Sequence, residues 1–314
     1  MAGAYTLLYT STYEAAVSPS SLTPSSPDIG YWTGSFTYTP TWSGIPVTVS
    51  VGTGPDSNGI AWIWNSIQGW DGPDVSGQVL QRAADHGGWP AAQYYAPRAI
   101  TVSITASAPT QALRDVARAQ LQQVIPVNDL ATMVYNEPVA TQAQVRRSGK
   151  LTETYPTLYD VTFTCVLIAP DPRKYSAMLQ SQTTTAVGGL GLTIPATIPA
   201  TIPAGSSPGS IMAYNSGTFE TRPQITVTNV SGGAVASPGL LNATTGQLVS
   251  WTSLTLQPGD VLYADFDQRA GYYNGAYRPA DITSSWWVIW PGYSTLEVAG
   301  AGLQMVCAYR SAYL

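Results

Sequence analysis

Charged side chains are scarce in this 314-residue chain: they make up 10% of the residues, with 13 Lys+Arg against 18 Asp+Glu. Lysine is almost missing, since Lys150 and Lys174 are the only two. A chain with so few positive charges and a formal net charge of -5 is not suited to wrapping nucleic acid, because that task requires many Lys and Arg contacts to phosphate. A surface with so little charge to keep it dispersed suits a subunit that is largely covered by partners.

Histidine and cysteine are also rare. His86 is the only histidine, and one imidazole cannot assemble a histidine-based metal site. It follows Asp85 in the glycine-rich stretch RAADHGGW, which is more typical of a turn than of an acid–base pair. Cys165 and Cys307 lie in apolar, strand-like runs of different predicted domains, which favours two buried thiols over a disulfide or a metal pair.

No motif of the sequence supports catalysis. GSSPG (205–209) matches the nucleophile-elbow pattern around Ser207, but Pro208 and a polar turn follow where that motif needs a helix, and no histidine comes later in the chain. Asp71 and Asp74 flank a Gly-Pro turn without the dense acidic spacing of a calcium loop. We therefore predict that the protein is not an enzyme and has no catalytic residues, metal or cofactor.

Long apolar runs are missing too. None reaches the roughly 18 residues that a membrane-spanning helix needs. The first residues, MAGAYTLLYTSTYEAA, lack the basic region and apolar stretch of a secretory signal. The sequence therefore predicts no membrane insertion and assembly in a cytoplasm, where the N-x-S/T sequons at Asn229 and Asn242 carry no meaning.

Hydrophobic residues, at 44%, are sufficient for two cores. Residues 1–59 are rich in Ser, Thr, Pro and Tyr and predict an N-terminal arm, although VTVSV (47–51) already has a strand pattern. Residues 60–180 predict an α+β domain of antiparallel strands with one helix, from Pro109 to Val124, for which Ser107 is a possible N-cap. The apolar stripe of this helix consists of Leu113, Val116, Ala117, Leu121 and Val124.

A linker at 181–210 contains the repeat TIPATIPATIPAG (193–205). If the repeat is extended, its Ile and Ala side chains face one way and its three prolines remove backbone donors from a single edge. It could then pair on the other edge as a protected edge strand. The alternative is a semi-rigid, polyproline-type linker, and both interpretations place a domain boundary here.

Residues 211–314 predict an all-β domain, because short strand patterns alternate with turns such as PGD and YYNG and suggest an antiparallel sandwich. SSWWVIWPG is one of the predicted strands. Alternation there puts Trp287 and Ile289 on the face opposite Trp286 and Trp290, and one of the two faces is expected to be core. Packing in a core or interface and contact with glycans both remain open for the aromatic cluster: Trp286, Trp287, Trp290, Tyr272, Tyr273 and Tyr277.

In their order, several stretches resemble the distal tail protein family of long-tailed, non-contractile bacteriophages. IQGWDGPDVSG, ADHGGW, YYAPRAITVSITAS with the helix after it, and VRRSGKLTETYPTLYDVTFTCVLIAPDPRKYS are similar to the ring-forming N-terminal domain of the family. The Pro repeat is similar to the segment that leads into the C-terminal domain. AYNSGTFETRPQITVTNV and NATTGQLVSW resemble the first strands of that domain, which is a galectin-like sandwich.

The resemblance implies a structural virion protein at the distal end of the tail. It implies a homo-hexameric ring that joins the tail tube protein to the tail-tip hub and other tail-tip proteins, with DNA only in transit through the channel. Arg114, Asp115 and Arg118 lie off the apolar stripe of the helix and are expected on the surface of the ring domain. The alternative hypothesis is a carbohydrate-binding module that contacts a host surface glycan.

Overall fold

A computed structural model describes residues 33–41, 43–186 and 209–314. Its N-terminal strands are β1 (Thr33–Tyr38), β2 (Val47–Val51), β3 (Ala61–Gln68), β4 (Val75–Ser76), β5 (Val79–Gln81), β6 (Gly88–Pro90), β7 (Tyr94–Tyr95), β8 (Arg98–Ser107), β9 (Ala131–Asn136), β10 (Ala140–Arg147), β11 (Thr152–Thr154), β12 (Asp160–Ala169) and β13 (Lys174–Ser176). One helix, α1 (Gln111–Val124), follows β8.

The later strands are β14 (Gln180–Thr185), β15 (Gly209–Asn215), β16 (Gln224–Asn229), β17 (Val235–Ala236), β18 (Gly239–Asn242), β19 (Gln247–Ser250), β20 (Thr255–Leu256), β21 (Val261–Asp265), β22 (Ala270–Tyr273), β23 (Ala276–Tyr277), β24 (Gly292–Ala299), β25 (Leu303–Tyr309) and β26 (Ala312–Tyr313). The Pro repeat at 193–205, predicted as an edge strand or linker, lies outside the described residues.

A ten-stranded antiparallel sheet builds the first half of the fold. Its main path runs β2-β1-β9-β10-β12-β8-β3, while β11, β13 and β26 pair at its margins. The sheet curls so that its first and last strands meet where the backbone N–H of Gly52 donates to the carbonyl oxygen of Trp62, 2.8 Å away. Helix α1 packs on the sheet against β1, β2, β8 and β12 and closes the core.

Helix α1 begins later than predicted. Ser107 is the last residue of β8, and Thr110 is the N-cap, with a side chain that accepts a hydrogen bond from the backbone N–H of Leu113. Ala117, Leu121 and Val124 are buried as predicted, but Val116 is 42% exposed. The apolar stripe of the sequence is therefore wider than the face that the sheet covers.

The predicted arm is wrong for residues 33–51. β1 lies between β2 and β9, in register from Thr33 opposite Asn136 to Thr37 opposite Thr132. Phe36 and Val49 point into the core. The first part of the predicted arm, residues 1–32, lies outside the described residues.

Two further antiparallel sheets build the second half. A six-stranded sheet has the order β14-β25-β16-β21-β22-β23, and a four-stranded sheet has the order β15-β24-β18-β19. Both contribute to one core, for example through Leu262 and Met305 from the first sheet and Val249 and Leu296 from the second. The shared core makes this a two-layer all-β structure. β14 lies partly within the predicted linker but pairs as the edge strand of the six-stranded sheet.

We call β1–β13 with α1 and β26 the N-terminal unit, and β14–β25 the C-terminal unit. The last strand, β26, returns to the N-terminal sheet and pairs with β13. The two thiols are buried in separate cores, as predicted: Cys165 in the N-terminal unit and Cys307 in the C-terminal unit. No helix among the described residues is long and apolar enough to cross a membrane.

Candidate interaction surfaces

Buried charges hold the two units together. Arg98, fully buried at the start of β8, donates to the carbonyl oxygens of Trp70 (2.6 Å) and Pro172 (2.8 Å) and so fixes the chain before β13. Desolvation lowers the pKa of its guanidinium. Arg173 then reaches across to Glu220 of the C-terminal unit, with 2.9 Å between Nη2 and Oε1. These contacts fix how one unit sits on the other.

The return of the chain end strengthens this junction. Arg310 donates to the carbonyl oxygens of Ser176 and Ala177, and the Ser176 hydroxyl accepts from the backbone N–H of Ser311 at 3.1 Å. A cleft of about 390 Å³ lies beside the junction, and residues of both units line it, among them Asp171 and Arg222.

A hairpin arm, residues 71–97, projects from the N-terminal sheet between β3 and β8. It consists of two short ladders, in which β4 pairs with β7 and β5 pairs with β6, and nearly all of its residues are exposed. Leu80 stands directly opposite Trp89, and Arg82 covers the Trp89 ring at 4.6 Å. Its large exposed apolar side chains are Val75, Val79, Leu80, Trp89, Tyr94 and Tyr95. Exposed apolar side chains gathered in one segment are typical of interaction sites.

The polar residues of the arm take local roles. Asp85, at the tip, accepts from the backbone N–H of His86 and pairs with Arg82 at 3.2 Å. Asp74 uses its carbonyl oxygen to accept from the backbone N–H of Ala96, which closes the base of the arm. Among the described residues there is no group of three or more His, Cys, Asp or Glu that could hold a metal ion.

The predicted helix surface is engaged within the chain. Arg114 pairs with Asp115 at 2.8 Å and donates to the carbonyl oxygen of Leu158 at 2.9 Å. Arg118 pairs with Glu153 at 2.7 Å. Burial opposes charge on Glu153, but hydrogen bonds from Arg118, Tyr155 and Gln122 outweigh it and leave the pKa of Glu153 below its usual value. Arg114 and Arg118 therefore hold the segment after β10 against the helix.

The tryptophans of the C-terminal unit divide between core and surface. Trp287 is 2% exposed, packs on Phe266 at 4.2 Å between ring centroids, and donates from Nε1 to the carbonyl oxygen of Leu240. Trp286 is half-buried and also packs on Phe266, with 5.1 Å between ring centroids, while Trp290 is 55% exposed. The predicted facing is correct for Trp287 and Trp290 but wrong for Trp286, which packs against the same core as Trp287. The stretch is no regular strand, and its strand-like pairing is an isolated bridge between Ile289 and Thr221.

Three tyrosines of the predicted cluster lie on neighbouring strands at the edge of the six-stranded sheet. Tyr273 packs towards the core and donates to Asp260 at 2.6 Å. Tyr272 faces the other way beside Tyr277, which is 65% exposed. Sequence reasoning missed Tyr263, whose ring lies 6.1 Å from that of Tyr272, because only strand register brings the two together.

The sequon asparagines have structural roles. Asn229 is buried and donates to the carbonyl oxygens of Gly233 and Leu256, both at 2.8 Å. Asn242 is fully buried, and its side-chain oxygen accepts from the backbone N–H groups of Thr244 and Thr245. Each side chain shapes a turn between strands of the C-terminal unit.

A family model matches the C-terminal part of the chain. Residues 216–313, from the turn after β15 to β26, match the model of the siphovirus-type tail component, C-terminal domain. The match concerns these residues and not the whole chain. The resemblance to siphophage distal tail proteins that the sequence suggested is confirmed. Comparison with curated proteins gives no sequence match.

Solved structures share the fold over both units. The crystal structure of the SPP1 Dit (gp 19.1) protein, described as a paradigm of the hub adsorption apparatus in phages that infect Gram-positive bacteria, matches with a TM-score of 0.58 and 14% identity, over 81% of this chain and 94% of that one. A chain of the phage P2 baseplate in its activated conformation with Ca matches with a TM-score of 0.52 and 10% identity, over 89% of this chain and 98% of that one. At these identities the likeness concerns the fold.

Proposed function

We propose that this chain is the distal tail protein of a long-tailed, non-contractile phage and acts as a structural part of the virion without catalysis. Six copies close into a ring that joins the tail tube protein to the tail-tip hub. The observation that carries the proposal is the match of residues 216–313 to the siphovirus-type tail component domain, together with a fold shared with SPP1 Dit over 81% of the chain.

In this proposal the N-terminal unit forms the ring, and the C-terminal unit, a galectin-like sandwich, projects outward. The hairpin arm supports this division. Two isolated strands are only marginally stable in water, yet this arm exposes Leu80 at 58% and Trp89 at 61%. A neighbouring copy of the N-terminal unit is the partner that covers them, since a closed ring offers the same surface to every arm.

DNA passes through the ring without staying bound. The chain has 13 Lys+Arg against 18 Asp+Glu, so a channel wall of neutral or acidic character is expected, which limits attraction to phosphate. The protein is assembled with other tail proteins in the host cytoplasm and acts at the distal end of the tail. Carbohydrate binding at the host surface is a second candidate function, which the exposed tyrosines of the C-terminal unit favour.

Cryo-electron microscopy of the purified full-length chain tests the proposal. The expected images are rings with six-fold symmetry, an N-terminal unit around an open channel and C-terminal units at the rim. Rings with a strongly basic channel would contradict passive DNA transit. Single particles of one chain at all concentrations would contradict the ring itself.

A further inference from the structure

Three tyrosines form a continuous row on the outer face of the six-stranded sheet. Strand register places Tyr263 of β21 opposite Tyr272 of β22, and Tyr272 opposite Tyr277 of β23. The ring centroids are 6.1 Å and 6.0 Å apart. Leu262 and Ala264, the neighbours of Tyr263 along β21, point into the core, so the row lies on the face that points away from it.

The row borders a depression of about 560 Å³. Gln224, Asp265 and Gln268 lie around it together with Tyr263 and Tyr272. Asp265 is 6% exposed, and its Oδ1 accepts from the backbone N–H groups of residues 267 and 268, which fixes the carboxylate in place. The Tyr272 hydroxyl donates to Oε1 of Gln268 at 3.2 Å, and the Tyr263 hydroxyl lies 3.5 Å from Oδ2 of Asp265.

The geometry points to a binding site for a neutral pyranose unit of a saccharide, an inference that rests on the second candidate function proposed above. Tyr263, Tyr272, Asp265 and Gln268 line it, and Tyr277 extends the row of rings beside it. A sugar ring has apolar C–H faces that stack on aromatic rings and hydroxyl groups that donate to carboxylate and amide oxygens. Tyrosine provides both kinds of contact at low cost in conformational entropy. The depression offers both, since the rings of Tyr263 and Tyr272 and the side-chain oxygens of Asp265 and Gln268 line it.

The carboxylate selects among saccharides. Asp265 is held rigidly and carries a negative charge beside the row, so a uronic acid or a phosphate-bearing unit meets like-charge repulsion in a partly desolvated position. A neutral hexose or an N-acetylated hexosamine meets none. This site stands apart from ring formation, because every residue that forms it belongs to the C-terminal unit.

Saturation-transfer NMR with the full-length chain tests the site, with methyl glucoside, methyl galactoside and methyl N-acetylglucosaminide as probes at millimolar concentration. At least one of them is expected to receive saturation from the protein, and methyl glucuronide less. Tyr272→Ala is expected to weaken binding about tenfold, as the loss of one stacking partner. Tyr277→Ala removes a ring that is 65% exposed, which keeps the test valid if Tyr272→Ala folds poorly.

Tyr293→Ala is the matched control, since Tyr293 is 68% exposed and stacks on Tyr214 on the other sheet at 4.6 Å. It is expected to bind like the parent chain. The site is refuted if no neutral glycoside receives saturation, or if Tyr272→Ala and Tyr277→Ala bind as the parent does. Loss of binding to another purified tail protein in these variants, with no saccharide bound by the parent, would assign the row to a protein partner instead. None of these outcomes depends on whether the chain forms rings.

Discussion

Arg173 and Glu220 form an ion pair across the boundary between the two units, with 2.9 Å from Nη2 to Oε1 and side chains that are 8% and 16% exposed. The same guanidinium lies 5.4 Å from the centre of the Phe219 ring. The pair joins the residue before β13 to the segment between β15 and β16. The orientation of the C-terminal unit on the N-terminal unit therefore depends on a contact that water scarcely reaches.

Glu220→Gln is expected to lower the free energy of unfolding by about 3 kcal/mol, because it leaves the charge of Arg173 buried without its main partner. Urea denaturation measures the change. Asp267→Asn is the matched control: the pair of Arg222 and Asp267 has the same type of contact at 2.8 Å, but its side chains are 31% and 64% exposed. The control should cost less than about 1 kcal/mol. Equal losses of unfolding free energy in the two variants would show that burial does not make the Arg173 pair more important than an exposed pair.

Replacing Leu80 and Trp89 together with serine is expected to shift the assembled protein towards single chains, since the change removes the largest opposed apolar pair of the hairpin arm. Size-exclusion chromatography with light scattering measures the shift, and circular dichroism should stay unchanged because both side chains are exposed. Ile282→Ser is the control, as Ile282 is fully exposed in the C-terminal unit. Normal assembly of the double variant would show that the hairpin arm does not contribute to the interface between copies.

The pair of Arg118 and Glu153 is expected to make stability depend on pH in the acid range. The folded-state pKa of Glu153 is lowered from 4.5, so its contribution is present in full above pH 4.5 and is lost as the pH falls through the lowered value. Since Arg118 is half-exposed, the contribution is small. Thermal unfolding of the parent and of Glu153→Gln should differ at neutral pH and converge in acid. If the difference in thermal stability between the two proteins grew in acid, the pKa of Glu153 would not be lowered by folding and the prediction would be wrong.

Both thiols are expected to be inert in the folded protein. Burial raises the pKa of Cys165 to about 11 and that of Cys307 to about 12, so neither forms thiolate near neutral pH. A colorimetric thiol reagent at mildly alkaline pH should react with neither thiol in the native protein and with both after denaturation in guanidinium. Rapid reaction of the native protein would contradict the buried placement of these residues.

The sequence predicts the strands and the helix whose pattern of apolar residues lies within one continuous stretch. RAITVSITAS alternates strictly, and β8 occupies the predicted residues 98–107. β1 was missed because TGSFTY is composed like a loop: Gly34 is required where a Cβ would strike the carbonyl oxygen of Val134, and the register of β1 is set by β9, far along the chain. SSWWVIW has β-type composition, but Trp286 and Trp287 both pack on Phe266, which a regular strand with alternating faces would not allow.

The candidate sites, like the strands, could be predicted only where their residues are close together in the sequence. The hairpin arm reads as turn-rich sequence, because its four strands are only two or three residues long and give no periodic signal. Tyr272 and Tyr277 could be singled out by composition alone. Their partner Tyr263 and the carboxylate of Asp265 join them only through the pairing of β21 with β22. Long-range register is not encoded in any local window of residues.

Sedimentation equilibrium of the purified full-length chain tests the central claim most directly, since it measures mass without assumptions about shape. The account predicts a species of six times the 33.2 kDa chain mass that persists on dilution into the micromolar range. A mass of 33.2 kDa at every concentration would contradict it.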